Sequence, residues 1–140
     1  MGTIEIFDHT ADVGLRIRAN DLDDLFRTAA EAVFDYIVAN RVDVRLDDAE
    51  TIMLREEDVV DLLAAWVSEL IFRSETLHRV YGRFDVRVED EGRVLQASIQ
   101  GEPIDRERHV LDHEVKAVTR HGLSVEREGD GWIAEMILDI

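Results

Sequence analysis

The chain has 140 residues, 46% of them hydrophobic, no cysteine, and 32 Asp plus Glu against 16 Lys plus Arg, for a formal net charge of −16. That length suits one domain with its own core and is short for two. The missing cysteines exclude disulfides, thiolate metal sites and cysteine nucleophiles, and the negative field disfavours direct, unaided binding to phosphate backbones.

The excess acid suits a basic protein partner, a cation, or plain solubility in a salty cytoplasm, and composition does not separate these. Lys116 is the only lysine among the basic residues. The N-terminus lacks the basic-then-apolar layout of a signal peptide, and no uncharged apolar run reaches membrane-spanning length. The expectation is a soluble, cytoplasmic protein without a membrane segment. No linker or low-complexity tract divides the chain, and Pro103 is the only proline, so residues 1–140 read as one domain.

Ile4 to Phe7 predict a short first strand, followed by a polar turn, Asp8-His9-Thr10-Ala11-Asp12. The alternation of Val13, Leu15 and Ile17 with Gly14, Arg16 and Arg18 predicts a second strand to Ala19. Asp12 therefore stands at the mouth of a strand. A polar cluster held there by a sheet can form a site; on spacing alone, a turn in which Asp and Thr bond their own backbone is the simpler reading. Asn20 is the expected N-cap of a helix with Asp23 and Asp24 in its first turn. Its apolar face runs from Leu22 through Leu25, Phe26, Ala29, Ala30, Val33, Phe34 and Ile37 to Val38.

Val42, Val44 and Leu46 alternate and predict a strand, Asp47-Asp48 a turn, and Ile52 and Leu54 a further strand. A second helix is expected from about Glu57 to Arg73, with Trp66 and Phe72 read as core rather than as a cofactor box. Phe84 to Val88 and Val94 to Gln100 form a hairpin about Glu89-Asp90-Glu91-Gly92. Gly101 to His109 reads as a surface loop in which Gly101-Glu102-Pro103 is only a turn. Val115 to Arg120 alternates as a strand that puts His113 and Lys116 on opposite faces. Leu123 to Glu128 and Trp132 to Asp139 close a last hairpin about Gly129-Asp130-Gly131. The order indicates an α+β fold in which two helices pack on a mostly antiparallel β-sheet or sandwich. Asp139 falls on the face opposite Ala134, Met136 and Leu138, and the α-carboxylate of Ile140 follows it. Such a pair either frays into solvent or is neutralised by a cation.

Three stretches in the same order resemble the archease family: Asp8-His9-Thr10-Ala11-Asp12-Val13-Gly14 with the helix after it, His113 to His121, and Trp132 to Ile140. The resemblance spans the whole chain. It implies an accessory protein, not an enzyme, that transiently contacts the tRNA-splicing RNA ligase (RtcB). There it would promote GTP-dependent guanylylation of the ligase and multiple turnover. A chaperone-like effect on a tRNA cytosine methyltransferase is also implied. The family's metal ligands fall on Asp12, Asp139 and the carboxylate of Ile140, with Ca2+ the first choice. One departure lies at Arg120-His121-Gly122, where family members often carry Tyr-His; it puts a partner contact at position 120 in question.

The residue types agree in kind, because carboxylates are hard oxygen donors that suit Ca2+, Mg2+ or Mn2+. His9 is a further candidate ligand, although a histidine in a turn more often makes a hydrogen bond. Lys116 is a further candidate for ligase activation, against the plain reading of a solvated lysine. No Ser-His-Asp order, phosphate loop or zinc spacing is present. A metal-dependent hydrolase using Asp12, Asp139 and His9 is the alternative from another functional class.

Overall fold

The computed structural model describes residues 2–9 and 12–140, with residues 8 and 9 described for the backbone only. Thr10 and Ala11 of the expected polar turn lie outside the described residues. Among the described residues, eight strands and two helices follow in the order β1 (Thr3–His9), β2 (Asp12–Ala19), α1 (Leu22–Ile37), β3 (Asp48–Arg55), α2 (Val59–Leu77), β4 (Arg79–Glu89), β5 (Val94–Pro103), β6 (Ala117–Val118), β7 (Ser124–Glu128) and β8 (Gly131–Asp139). The α+β expectation holds. A larger antiparallel sheet has the order β1-β2-β8-β6, with β7 also on β8, and a smaller one has the order β3-β5-β4.

The helices are amphipathic and each packs on strands of both sheets. On α1, Leu25, Phe26, Ala29, Ala30, Val33 and Phe34 are fully buried, as the three- and four-residue spacing dictates. Phe34 stacks on Phe84 and meets Tyr81 edge-on, each with ring centroids 5.5 Å apart. Trp66 of α2 is buried and donates Nε1–H to the Phe26 carbonyl at 2.9 Å, which locks the two helices together. Phe72 is the exception to the expected core face of α2, at 58% exposed.

Both helix starts use an aspartate cap. Asp21, rather than the expected Asn20, accepts from the Asp24 N–H, because the helix begins at Leu22 and the cap must precede it. Asp58 does the same for Asp61, so α2 starts at Val59 and runs on to Leu77, a turn beyond Arg73. It ends on His78 in the left-handed conformation, φ 54°.

Three expectations fail between the elements. Val42 to Leu46 is not a strand: Arg41–Asp43 form a 3-10 turn and Val42 is 92% exposed. Side chains override the alternation there, since Asn40 bonds Asp43 and the Arg108 carbonyl while Arg41 bonds Asp35 and the Gly82 carbonyl. Gly101 to Pro103 is the end of β5 rather than a turn, and Gly101 is obligatory: a Cβ would sit 2.0 Å from the Val80 carbonyl oxygen. The strand expected over Val115 to Arg120 shrinks to Ala117–Val118, the only two of those residues that pair with β8.

The 101–109 stretch is not all surface. Glu102 and His109 are each 3% exposed. Glu102 accepts from the Arg45 N–H at 2.7 Å, from His109 Nε2 at 2.9 Å and from Arg108. Because the Asp105 N–H donates to His109 Nδ1 at 2.9 Å, the ring proton is fixed on Nε2. Burial pushes the Glu102 carboxyl up, but Arg108, the Arg45 amide and His109 outweigh it and hold the group down at about 2.

Candidate functional site

β8 is the central strand of the larger sheet, with β2 along one edge and β7 then β6 along the other. Its last ladder position sets the site. Asp139 lies directly opposite Asp12 on one side and Ala117 on the other. Directly opposed residues on antiparallel neighbours share a face, with Cβ atoms about 5 Å apart, so the side chains of Asp12 and Asp139 leave the sheet side by side. Both are half-buried. Across the β1–β2 hairpin, Asp12 pairs with the backbone of His9; the His9 side chain lies outside the described residues.

Packing explains why this corner keeps its register. Leu15, Ile17, Ala134, Met136 and Leu138 are buried on the helix-facing side of β2 and β8, so a one-residue slip would turn them out. On the outer side, Arg16 bridges Glu135 at 2.6 Å and Glu5 at 3.2 Å, tying β1, β2 and β8 together. The Phe7 ring lies across Gly14, where a Cβ would meet it at 2.2 Å, and the Arg16 guanidinium stands 5.0 Å from the ring centre. Gly122, at φ +74°, lets the 121–122 turn close on Ile137, two positions before Asp139.

The segment before β6 completes the corner. The Lys116 N–H donates to the Asp139 carbonyl at 2.8 Å, and the Thr119 N–H to the Ile137 carbonyl at 2.9 Å. Lys116 is exposed next to the strand end. His113 is not its opposite-face strand neighbour, because it lies in a loop, stacked on Tyr36 at 4.1 Å and 3.4 Å from Asp112. Arg120 is engaged by Asp61 at 2.5 Å.

Asp12 and Asp139 carry hard oxygen donors, the kind that suit Ca2+, Mg2+ or Mn2+. Among the described residues, no three Asp, Glu or His side chains converge closely enough to hold a metal ion. Asp12 and Asp139 supply two side-chain carboxylates, and a cation held here would need a further donor, such as the Ile140 carboxylate that the resemblance implies, a main-chain oxygen or His9. That arrangement suits an open oxygen site better than a closed structural one.

Fold and site together define a small α+β domain whose sheet gathers acidic groups from both ends of the chain. The model of the archease protein family matches residues 4–140. The chain is 36% identical over 138 residues to the archease of Methanopyrus kandleri, covering 97% of this chain and 98% of that one. It is 34% identical to the archease of Pyrococcus abyssi, with 97% of each covered. The solution structure of Methanobacterium thermoautotrophicum protein 1598 superposes with a TM-score of 0.80 at 33% identity, covering 98% of each chain. A crystal structure from Thermotoga maritima described as an archease, possible chaperone, shares the fold with a TM-score of 0.67 at 22% identity, covering 97% of this chain and 96% of that one. The chain belongs to the archease family. Among the described residues, no helix is long and apolar enough to cross a membrane.

Proposed function

We propose that this chain is a non-catalytic accessory protein of the cytoplasm that activates the tRNA-splicing RNA ligase. It would promote GTP-dependent guanylylation of the ligase and its multiple turnover, with Asp12, Asp139 and the Ile140 carboxylate holding a divalent cation. Ca2+ is the first candidate and Mg2+ or Mn2+ the alternatives. The observation that carries this reading is the register of β8, which sets Asp139 between Asp12 and the segment bearing Lys116. The three stretches of family resemblance, distant in sequence, thus meet at one sheet corner.

The protein's own residues do the positioning. β2 and β8 present two carboxylates side by side, and like charges so placed repel. A bound cation would relieve that repulsion while keeping coordination positions for water or a partner's oxygens. Lys116, beside the pair, carries a compact ammonium suited to a phosphate or carboxylate of the partner. The acidic surface favours encounter with a basic, RNA-handling enzyme and weakens that encounter as salt rises.

The test is single-turnover guanylylation of the cognate ligase from GTP, with no addition, with the wild-type protein, and with Asp12→Ala or Asp139→Ala. The expected result is acceleration by the wild type and its loss in both variants, with circular dichroism unchanged. Acceleration that survives both substitutions would keep the partner and remove the carboxylate mechanism. No acceleration by a folded wild type would remove the ligase reading and favour chaperone-like assistance to a tRNA methyltransferase.

A further inference from the structure

A cleft of about 370 Å³ opens where the end of α2 meets the loop after β5. Its floor is apolar, built from Ile37, Ile71 and Leu111. Glu75, Asp112 and Glu114 line its rim and are exposed, against one arginine, Arg106. Two histidines complete the rim. His78 is the left-handed cap of α2, held there as its carbonyl accepts from the Ile104 N–H at 2.9 Å. His113 is braced by its stack on Tyr36. The walls are fixed: the Asp112 N–H bonds the Ile37 carbonyl at 2.8 Å, and Val38 bridges Leu111.

We infer that this cleft is a docking site for a partner segment that presents an apolar side chain flanked by lysine or arginine. This rests on the ligase reading and locates a protein contact for it. An apolar floor of this size accepts one or two aliphatic or aromatic side chains. Three carboxylates around it against one guanidinium select for positive flanks and repel acidic ones. The surrounding field, from a chain of net charge −16, favours the same partner. One lining residue also ties the cleft to the strand end that carries Asp139. Val115 lines the cleft, and the next residue, Lys116, bonds Asp139. A basic segment seated here would hold the partner beside the paired aspartates.

The experiment measures the affinity of the cognate ligase for the full chain by titration at fixed ionic strength, with E75K/E114K and, as a charge-matched control, D47K/D130K. All four positions are exposed, and the two variants change net charge equally. Circular dichroism checks that each is folded. The expected result is binding weakened about tenfold or more in E75K/E114K and within about threefold of wild type in the control. Equal weakening in both variants would make the effect one of overall charge and overturn the docking site while leaving the ligase as partner. Unchanged binding in E75K/E114K would overturn it in the same way. A ligase that binds no form of the chain would overturn the docking site and the ligase reading together.

Discussion

Two acidic clusters of this molecule are built on opposite principles. Glu102 is buried and surrounded by donors: Arg108, the Arg45 amide and His109. Asp139 is half-buried at a strand end opposite another aspartate, and among the described residues no hydrogen bond or ion pair engages its carboxylate. The first cluster spends its charge inward, tying β5 to the loop that follows it and to the backbone after the 3-10 turn. The second collects oxygen donors at the end of a sheet. Internal satisfaction makes an anchor, and a register that gathers like charges at a strand end makes a site.

Breaking the anchor should have the largest effect. Glu102→Gln removes the charge that Arg108 and His109 pair with, and about 3 kcal/mol of stability should be lost at neutral pH, read from urea denaturation. The pH dependence should carry the same signature. Glu102 titrates lower in the folded chain than the ordinary carboxyl value of 4.5, at about 2. Its contribution is therefore complete above about pH 4.5 and disappears as pH falls towards 2, because the unfolded chain takes up the proton first. A drop of about 3 kcal/mol across that window is expected in the wild type. The Glu102→Gln variant should lack that component. A stability curve of equal slope in both would show that the cluster is not the anchor.

Loading the site should give the next largest effect. Calcium at a free concentration about 100 times its dissociation constant should stabilise the wild type by about 2.7 kcal/mol. Asp12→Asn or Asp139→Asn should abolish that gain, whereas Glu102→Gln, although less stable, should keep it. If Glu102→Gln lost the calcium response and Asp139→Asn retained it, the roles assigned to the two clusters would be reversed.

The two clusters also differ in how far the sequence discloses them. The alternation of Val13, Leu15 and Ile17, and of Ala134, Met136 and Leu138, is a direct reading of a sheet with one buried face. Asp12 and Asp139 could therefore be placed at strand ends. Periodicity says nothing of which strand pairs with which, so bringing Asp12 against Asp139 needed either the resemblance or the fold. Glu102 and His109 were invisible for the opposite reason. A charged stretch beside Pro103 has the composition of a surface loop, and only the partners supplied by Arg45 and Arg108 make burial tolerable. The 42–46 run misled because alternation is a weak signal where side-chain bonds from Asn40 and Arg41 set the backbone instead.

The smallest expected effect separates the two principles most cleanly. In chelator-treated protein, Asp139→Asn should leave stability unchanged or raise it by up to about 1 kcal/mol, since a carboxylate opposite a neutral amide is not repelled as two carboxylates are. The fold has nothing to lose: the substitution leaves the backbone bond from the Lys116 N–H to the carbonyl of position 139, and the pairing with Asp12, in place. Thermal melts of the two proteins, with and without calcium, test this in one series. Destabilisation beyond about 1 kcal/mol without metal would mean that Asp139 has a structural role, and that loss of ligase stimulation in its variants could not be assigned to the cation.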